Sequence, residues 1–147
     1  MKRNLQKGFT LIELLVVVAI IGILSSMVLV SLNKAREKGR DASAKGSLSS
    51  IRAAAEIFYD SNDNWYNGGS LGDMCADDTN IQSLLIAAEN QTGSTNDCEA
   101  NQHSYTAGIM LNSDHYFCVD STGFAGEFDA SSTPLSAPLS PGISCLN

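Results

Sequence analysis

The sequence predicts an α+β fold in which a long N-terminal helix packs on a small antiparallel sheet, with a C-terminal loop pinned by a disulfide. Three observations carry that expectation. An unbroken apolar run opens the chain, a stripe of helical period continues it, and short alternating segments separated by turn residues follow.

Length and composition set the bounds. With 147 residues there is room for one modest domain and one extra element. Apolar residues make up 44%, an ordinary globular share, but they are unevenly placed. Between residues 14 and 30 only Gly22, Ser25 and Ser26 are not plainly apolar. The remainder is rich in Asn, Asp, Ser, Thr and Gly, so its core is small, and small cores usually need staples. Charge is segregated as well. All nine Lys and Arg lie at or before Arg52. Of the sixteen acidic residues only Glu13, Glu37 and Asp41 precede Ala53, which leaves thirteen beyond it. A head of that charge does not neutralise phosphates, so direct nucleic-acid binding is disfavoured. Self-repulsion favours its solubility.

The helix begins after a polar leader, residues 1–8, which holds Lys2, Arg3 and Lys7. Phe9 opens the apolar run and Leu32 closes it. As a helix the run spans about 36 Å, enough to cross a hydrocarbon core of roughly 30 Å. In lipid the backbone must satisfy itself, which leaves a single helix as the form. Three plainer readings compete. A cleaved secretory signal has a shorter apolar region, and Ser25-Ser26 is a weak cleavage site. A simple anchor fits the length but leaves Glu13 unexplained, because a carboxylate entering a bilayer without a cation costs about a few kcal/mol. A core helix would need a much larger globular partner.

Glu13 decides among them. A cut between Gly8 and Phe9 would create a cationic amine four residues from Glu13. Pairing that amine with Glu13 of a neighbouring chain neutralises both charges inside an apolar bundle and rewards assembly in register.

The segment from Gly8 and Phe9 through Thr10, Leu11, Ile12 and Glu13 to Leu24 resembles the class III signal of type IV prepilins and of type II secretion pseudopilins. The resemblance implies cleavage after Gly8 by a prepilin peptidase, N-methylation of Phe9, and subunit registration by Glu13. It implies a structural subunit and no enzyme, with no cofactor. The precursor would cross the inner (cytoplasmic) membrane once, head outside, and then enter a pilus filament or the cell surface. Its partners would be further copies of itself, other pilins, the peptidase, and the membrane before assembly. The implied division is a cleaved leader (1–8), a transmembrane and assembly helix (9–32), an amphipathic continuation (33–60) and an extracytoplasmic head (61–147). The nearest alternative is a pseudopilin of a type II secretion system, and another is a membrane-anchored extracytoplasmic binding domain that never polymerises. Two features depart from the pattern. Many pilins carry a proline near the end of the apolar run, and here any local melting rests on Gly22 and the serines. Lys34, Arg36, Lys38, Arg40 and Lys45 also outnumber the leader's basic residues, so charge counting does not set the orientation.

Beyond Leu32 the helix continues. Ala44, Leu48, Ile51, Ala55 and Phe58 recur at spacings of four, three, four and three, one amphipathic face. Gly39 and Gly46 each cost that helix about 1 kcal/mol. The expected helix runs from about residue 10 to 60. Residues 61–72 are turn chemistry. Asp78-Thr79 caps a short helix near residues 80–90 that Gly93 ends. Strands are expected at 105–111, 115–120 and 124–128, a three-stranded meander with its apolar face on the stripe of the long helix. The tail from 129 to 147, with Pro134, Pro138 and Pro141, reads as irregular.

Four cysteines, Cys75, Cys98, Cys118 and Cys145, allow three connectivities, and sequence alone does not choose. The favoured pairing joins Cys118 to Cys145, tying down the tail, and Cys75 to Cys98, closing the connecting loop. A zinc site is weaker, because separations of 23, 20 and 27 give no close ligand pair and His103 and His115 lack helical ligand spacing. Asp73, Asp77, Asp78 and Glu99 form a weak calcium candidate without EF-hand spacing. No nucleophile–base order, phosphate loop or histidine motif supports catalysis. One hypothesis is particular to this chain, namely that the basic collar at residues 34–45 faces the acidic head of an adjacent subunit.

Overall fold

The computed structural model describes residues 8–129 and Cys145. The expected leader, apart from Gly8, and the expected irregular tail, apart from Asp129 and Cys145, lie outside the described residues. The chain forms two compact units, Met1–Arg36 and Glu37–Asn147.

Helix α1 (Leu11–Ser61) contributes residues 11–36 to the first unit and 37–61 to the second. It contains no proline, and several of its serines satisfy their hydroxyls on the helix itself. Ser26 Oγ donates to the Ile23 carbonyl at 2.7 Å and Ser50 Oγ to that of Gly46 at 2.9 Å. In the first unit every side chain of the helix is exposed.

The second unit has its own core. The four-stranded antiparallel sheet has the order β3 (Asn96–Ala100), β4 (Tyr105–Met110), β5 (His115–Asp120), β6 (Ala125–Asp129). Strand alternation sends Tyr105, Ala107 and Ile109 of β4 and Phe117 and Val119 of β5 into one cluster with Leu48, Ile51, Ala55 and Phe58 of α1. The register sets Ala107 opposite Val119 and Ile109 opposite Phe117, so the apolar sets of neighbouring strands coincide. Each large side chain buried there contributes about 1.5–3 kcal/mol. Helix α2 (Thr79–Thr92) adds Ile81, Leu85 and Ala88 to the same core. Asp78 caps it by accepting from the Ile81 amide at 2.7 Å, and Gly93 ends it at φ 74°, a left-handed conformation that glycine adopts freely. The opposite sheet face gathers Tyr116, Cys118 and Cys145 into a second cluster with Met110, Phe124 and Phe128 beside it.

The meander has one more strand than the sequence suggested. β3 reads Asn-Asp-Cys-Glu-Ala, a run poor in strand formers, yet it pairs along its whole length with β4. Its inward positions, Cys98 and Ala100, pack against the core, so tertiary pairing overrides local propensity. Residues expected as plain turn also hold a small hairpin, β1 (Asn67–Gly69) with β2 (Gly72–Asp73). Fully buried Asn62 organises it. Its side chain donates to the carbonyls of Trp65 at 2.8 Å and Gly72 at 3.2 Å, and accepts from the Leu71 amide at 2.6 Å. A Cβ at Gly69 would stand 2.4 Å from the Asn62 carbonyl oxygen, so only glycine fits that approach. Two disulfides complete the unit, Cys75–Cys98 and Cys118–Cys145.

Candidate functional site

The start of α1 is built by a reciprocal pair. The Thr10 amide and hydroxyl donate to Glu13 Oε2 at 2.9 and 2.7 Å, and the Glu13 amide returns a bond to Thr10 Oγ1 at 3.3 Å. This is a capping box, which satisfies donors that the first helical turn leaves open. Sequence reasoning treated Glu13 only as a charge in an apolar run and passed over Thr10. The signal that reveals Thr10 is the Thr-x-x-Glu spacing ahead of apolar residues. A carboxylate that looked wholly unpaired thus has two local donors.

Around that box no other element packs among the described residues. Phe9 is 85% exposed, and a Cβ added at Gly8 would meet no atom within 4 Å. The chain's own packing therefore places no demand for glycine at position 8. From Leu11 to Leu32 the large apolar side chains remain at least 43% exposed. Among the described residues α1 is the one helix long and apolar enough to cross a membrane. A face this large and this apolar on every side calls for lipid or other chains around it.

The remaining candidates scatter. Asp73 accepts from the Cys75 amide at 2.7 Å and the Asn67 side chain at 2.8 Å, Asp77 accepts from the Asp73 amide at 2.8 Å, and Asp78 is a helix cap. Each carboxylate holds local backbone. No group of three His, Cys, Asp or Glu able to hold a metal occurs among the described residues, so Asp73, Asp77, Asp78 and Glu99 are not brought together for calcium. The thiols that a zinc site would need are consumed in the two bridges. Within the basic collar, Lys45 is already paired with Glu127 of β6.

Two buried carboxylates tie the second unit together. Asp41 of α1 accepts from the Asn112 amide and side chain, both at 2.8 Å, and from the Ser113 amide at 3.2 Å. Burial pushes its pKa up, but the Asn112 and Ser113 donors outweigh burial and hold it below the ordinary aspartate value. Asp120 does the same at the β5–β6 turn, accepting from Thr122, from the Phe124 amide and from the Cys145 amide.

An exposed apolar helix with a capped carboxylate at its start, continued into a helix-on-sheet unit, is a pilin-like arrangement. Residues 3–29 match the family described as "Prokaryotic N-terminal methylation motif". The chain is 40% identical over 58 residues to the type II secretion system core protein G of Pseudomonas aeruginosa, covering 40% of this chain and 41% of that protein. It is 37% identical over 60 residues to the type IV major pilin protein PilA of Myxococcus xanthus, covering 41% of this chain and 27% of that protein. The similarity thus spans less than half the length of these relatives. No solved structure matches the chain. The motif and these stretches of similarity make the chain similar, over its N-terminal part, to type IV pilins and type II secretion pseudopilins, and its fold is pilin-like.

Proposed function

We propose that this chain is a structural subunit of a type IV pilus-like filament, delivered as a membrane-anchored precursor and polymerised through the first half of α1. The observation that carries the reading is Glu13, the one charged residue in an otherwise apolar and fully exposed helical stretch. Cleavage after Gly8 by a prepilin peptidase frees and methylates the amine of Phe9, one residue from Thr10. Within one chain Thr10 already satisfies Glu13, so the carboxylate is tolerable at the membrane surface before assembly. In the polymer the Phe9 amine of an adjacent subunit replaces that local partner with a charged one, which is stronger in an apolar surrounding. The head stands outside the membrane, where both disulfides persist. The role is architectural rather than catalytic.

A pseudopilin of a type II secretion machine is the second reading, favoured by the similarity to core protein G. Both readings share the processing step and differ in the polymer. Intact mass and N-terminal peptide mapping of protein from its native envelope tests the shared step. A chain beginning at methylated Phe9 is expected, and one still carrying residues 1–8 beside an active peptidase overturns it. A long surface fibre composed of this chain supports the pilus. Loss of protein export on deletion, with no such fibre, supports the secretion role.

A further inference from the structure

Arg52 is the last cation in the sequence, and it lies half-buried in the second unit. A cleft of about 390 Å³ opens there between Ser49, Arg52 and Glu56 of α1 and Tyr105, Asp120 and Ser121 of the sheet side. Arg52 makes no hydrogen bond and no ion pair among the described residues, although two acids line the same cleft. Both acids are engaged elsewhere. Glu56 accepts from the Tyr66 hydroxyl at 2.9 Å, and Asp120 is filled by the donors of its own turn and of Cys145. The guanidinium extends over the β5–β6 turn, 3.5 Å from where a Cβ of Gly123 would stand.

A second unfilled donor shares the cleft. Tyr105 is 2% exposed, yet its hydroxyl has no hydrogen-bond partner among the described residues. Arg52 and Tyr105 line the same cleft; burial raises the pKa of that hydroxyl, Glu56 adds to the rise, and the charge of Arg52 opposes it. A planar fork of N–H donors in the same cleft as a tyrosine O–H donor matches a carboxylate, which accepts two parallel bonds from arginine and a third from a hydroxyl.

We infer that this cleft receives an acidic side chain from the head of a second copy of this chain. The sequence supplies the argument for the occupant. Beyond Ala53 the head carries thirteen carboxylates and no cation, so the acids of an adjacent head are drawn to Arg52 and to the exposed collar cations, of which Arg52 lines this cleft. Lys45 does not compete, because Glu127 of its own chain holds it. The inference rests on the filament reading and adds a specific contact between heads to the contact between helices.

The test uses the full chain in cells that process it. Arg52→Gln removes the charge, and Arg52→Lys leaves a primary amine at the same place. With Arg52→Gln, processed monomer bearing both disulfides is expected at the unaltered level, while filament yield falls about tenfold or more, as befits loss of one partner of a buried charge pair. With Arg52→Lys, a carbodiimide applied to filaments joins the residue-52 amine to a carboxylate. The dimer band, digested and read by mass, is expected to show residue 52 joined to an Asp or Glu beyond Ala53 of the second chain. Unchanged filament yield for Arg52→Gln, or joining of residue 52 only to Glu56 within a single chain, overturns the inference. If Glu13→Ala abolishes filaments while Arg52→Gln does not, the filament reading stands and the head contact falls. If the processed, unaltered chain forms no filament at all, both fall.

Discussion

Glu13 and Thr10 share one hydrogen-bonded box, yet their substitutions separate its two roles. Thr10→Val removes the cap and weakens the helix start by about 1 kcal/mol, a local effect that helix packing in a filament can absorb. Glu13→Ala removes the cap and also the only charge that an adjacent Phe9 amine could meet. Filament yield measured by shearing is therefore expected to fall far more for Glu13→Ala than for Thr10→Val, with heads of both variants equally folded. Equal yields would reduce Glu13 to a cap. Asp41 is a second decisive residue. Its carboxylate joins α1 to the β4–β5 turn, and Asp41→Ala takes that acceptor from the half-buried Asn112 donors and hands the exposed Ser113 amide to water, at a cost of about 1 kcal/mol in head stability. The pH dependence follows from the direction of its shift. A pKa depressed below the ordinary aspartate value of 3.8 gives stability that is complete above that value and is lost as pH falls through the native pKa. Acid melting curves should accordingly steepen below about pH 4, and Asp41→Ala should flatten part of that slope. Asp120 was equally hidden in the sequence. Neither residue sits in a motif, and each acquires its donors only when distant segments meet.

The elements differ in how plainly the sequence announces them. α1 was legible because its period is long and its stripe unbroken, and α2 because Asp78 and Gly93 punctuate it. β4, β5 and β6 carry alternation and turn residues between them. β3 was missed because Asn96, Asp97 and Glu99 disfavour strands, and the edge of an existing sheet supplied the pairing instead. Its link to the rest is covalent as well, through Cys98 to Cys75. The disulfides act at this scale. They close separations of 23 and 27 residues, and each should contribute about 3 kcal/mol by restricting the unfolded chain. Cys118→Ser with Cys145→Ser is expected to lower the melting temperature of the head by several degrees, and added reductant to do nothing further to that bridge. A variant that melts with the unaltered protein would show that the bridge restrains nothing the sheet does not already hold.

At the scale of the whole molecule, charge and apolar surface point to assembly. The first unit exposes apolar side chains throughout, and the second carries a strongly acidic surface with a basic collar on the helix before it. The pairing of Lys45 with Glu127 shows that collar and acids already attract within one chain. Lys34, Arg36, Lys38 and Arg40 remain exposed for the same chemistry between chains. Filaments are therefore expected to dissociate more readily at about 1 M salt, where charges are screened beyond roughly 3 Å, than at low salt. Salt-independent stability would assign assembly to the apolar helices alone.

The sequence by itself determined the apolar helix, its processing motif, the stripe that seeks a sheet and the segregation of charge. Those are properties of composition and period, which neighbouring residues carry without help from distant ones. Tertiary structure decided the fourth strand, the disulfide pairing, the Asn62-centred hairpin, the donors around Asp41 and Asp120, and the cleft that leaves Arg52 unpaired. Each of these depends on which segments meet across long separations, where burial removes water and a group must find a protein partner or wait for one from another chain.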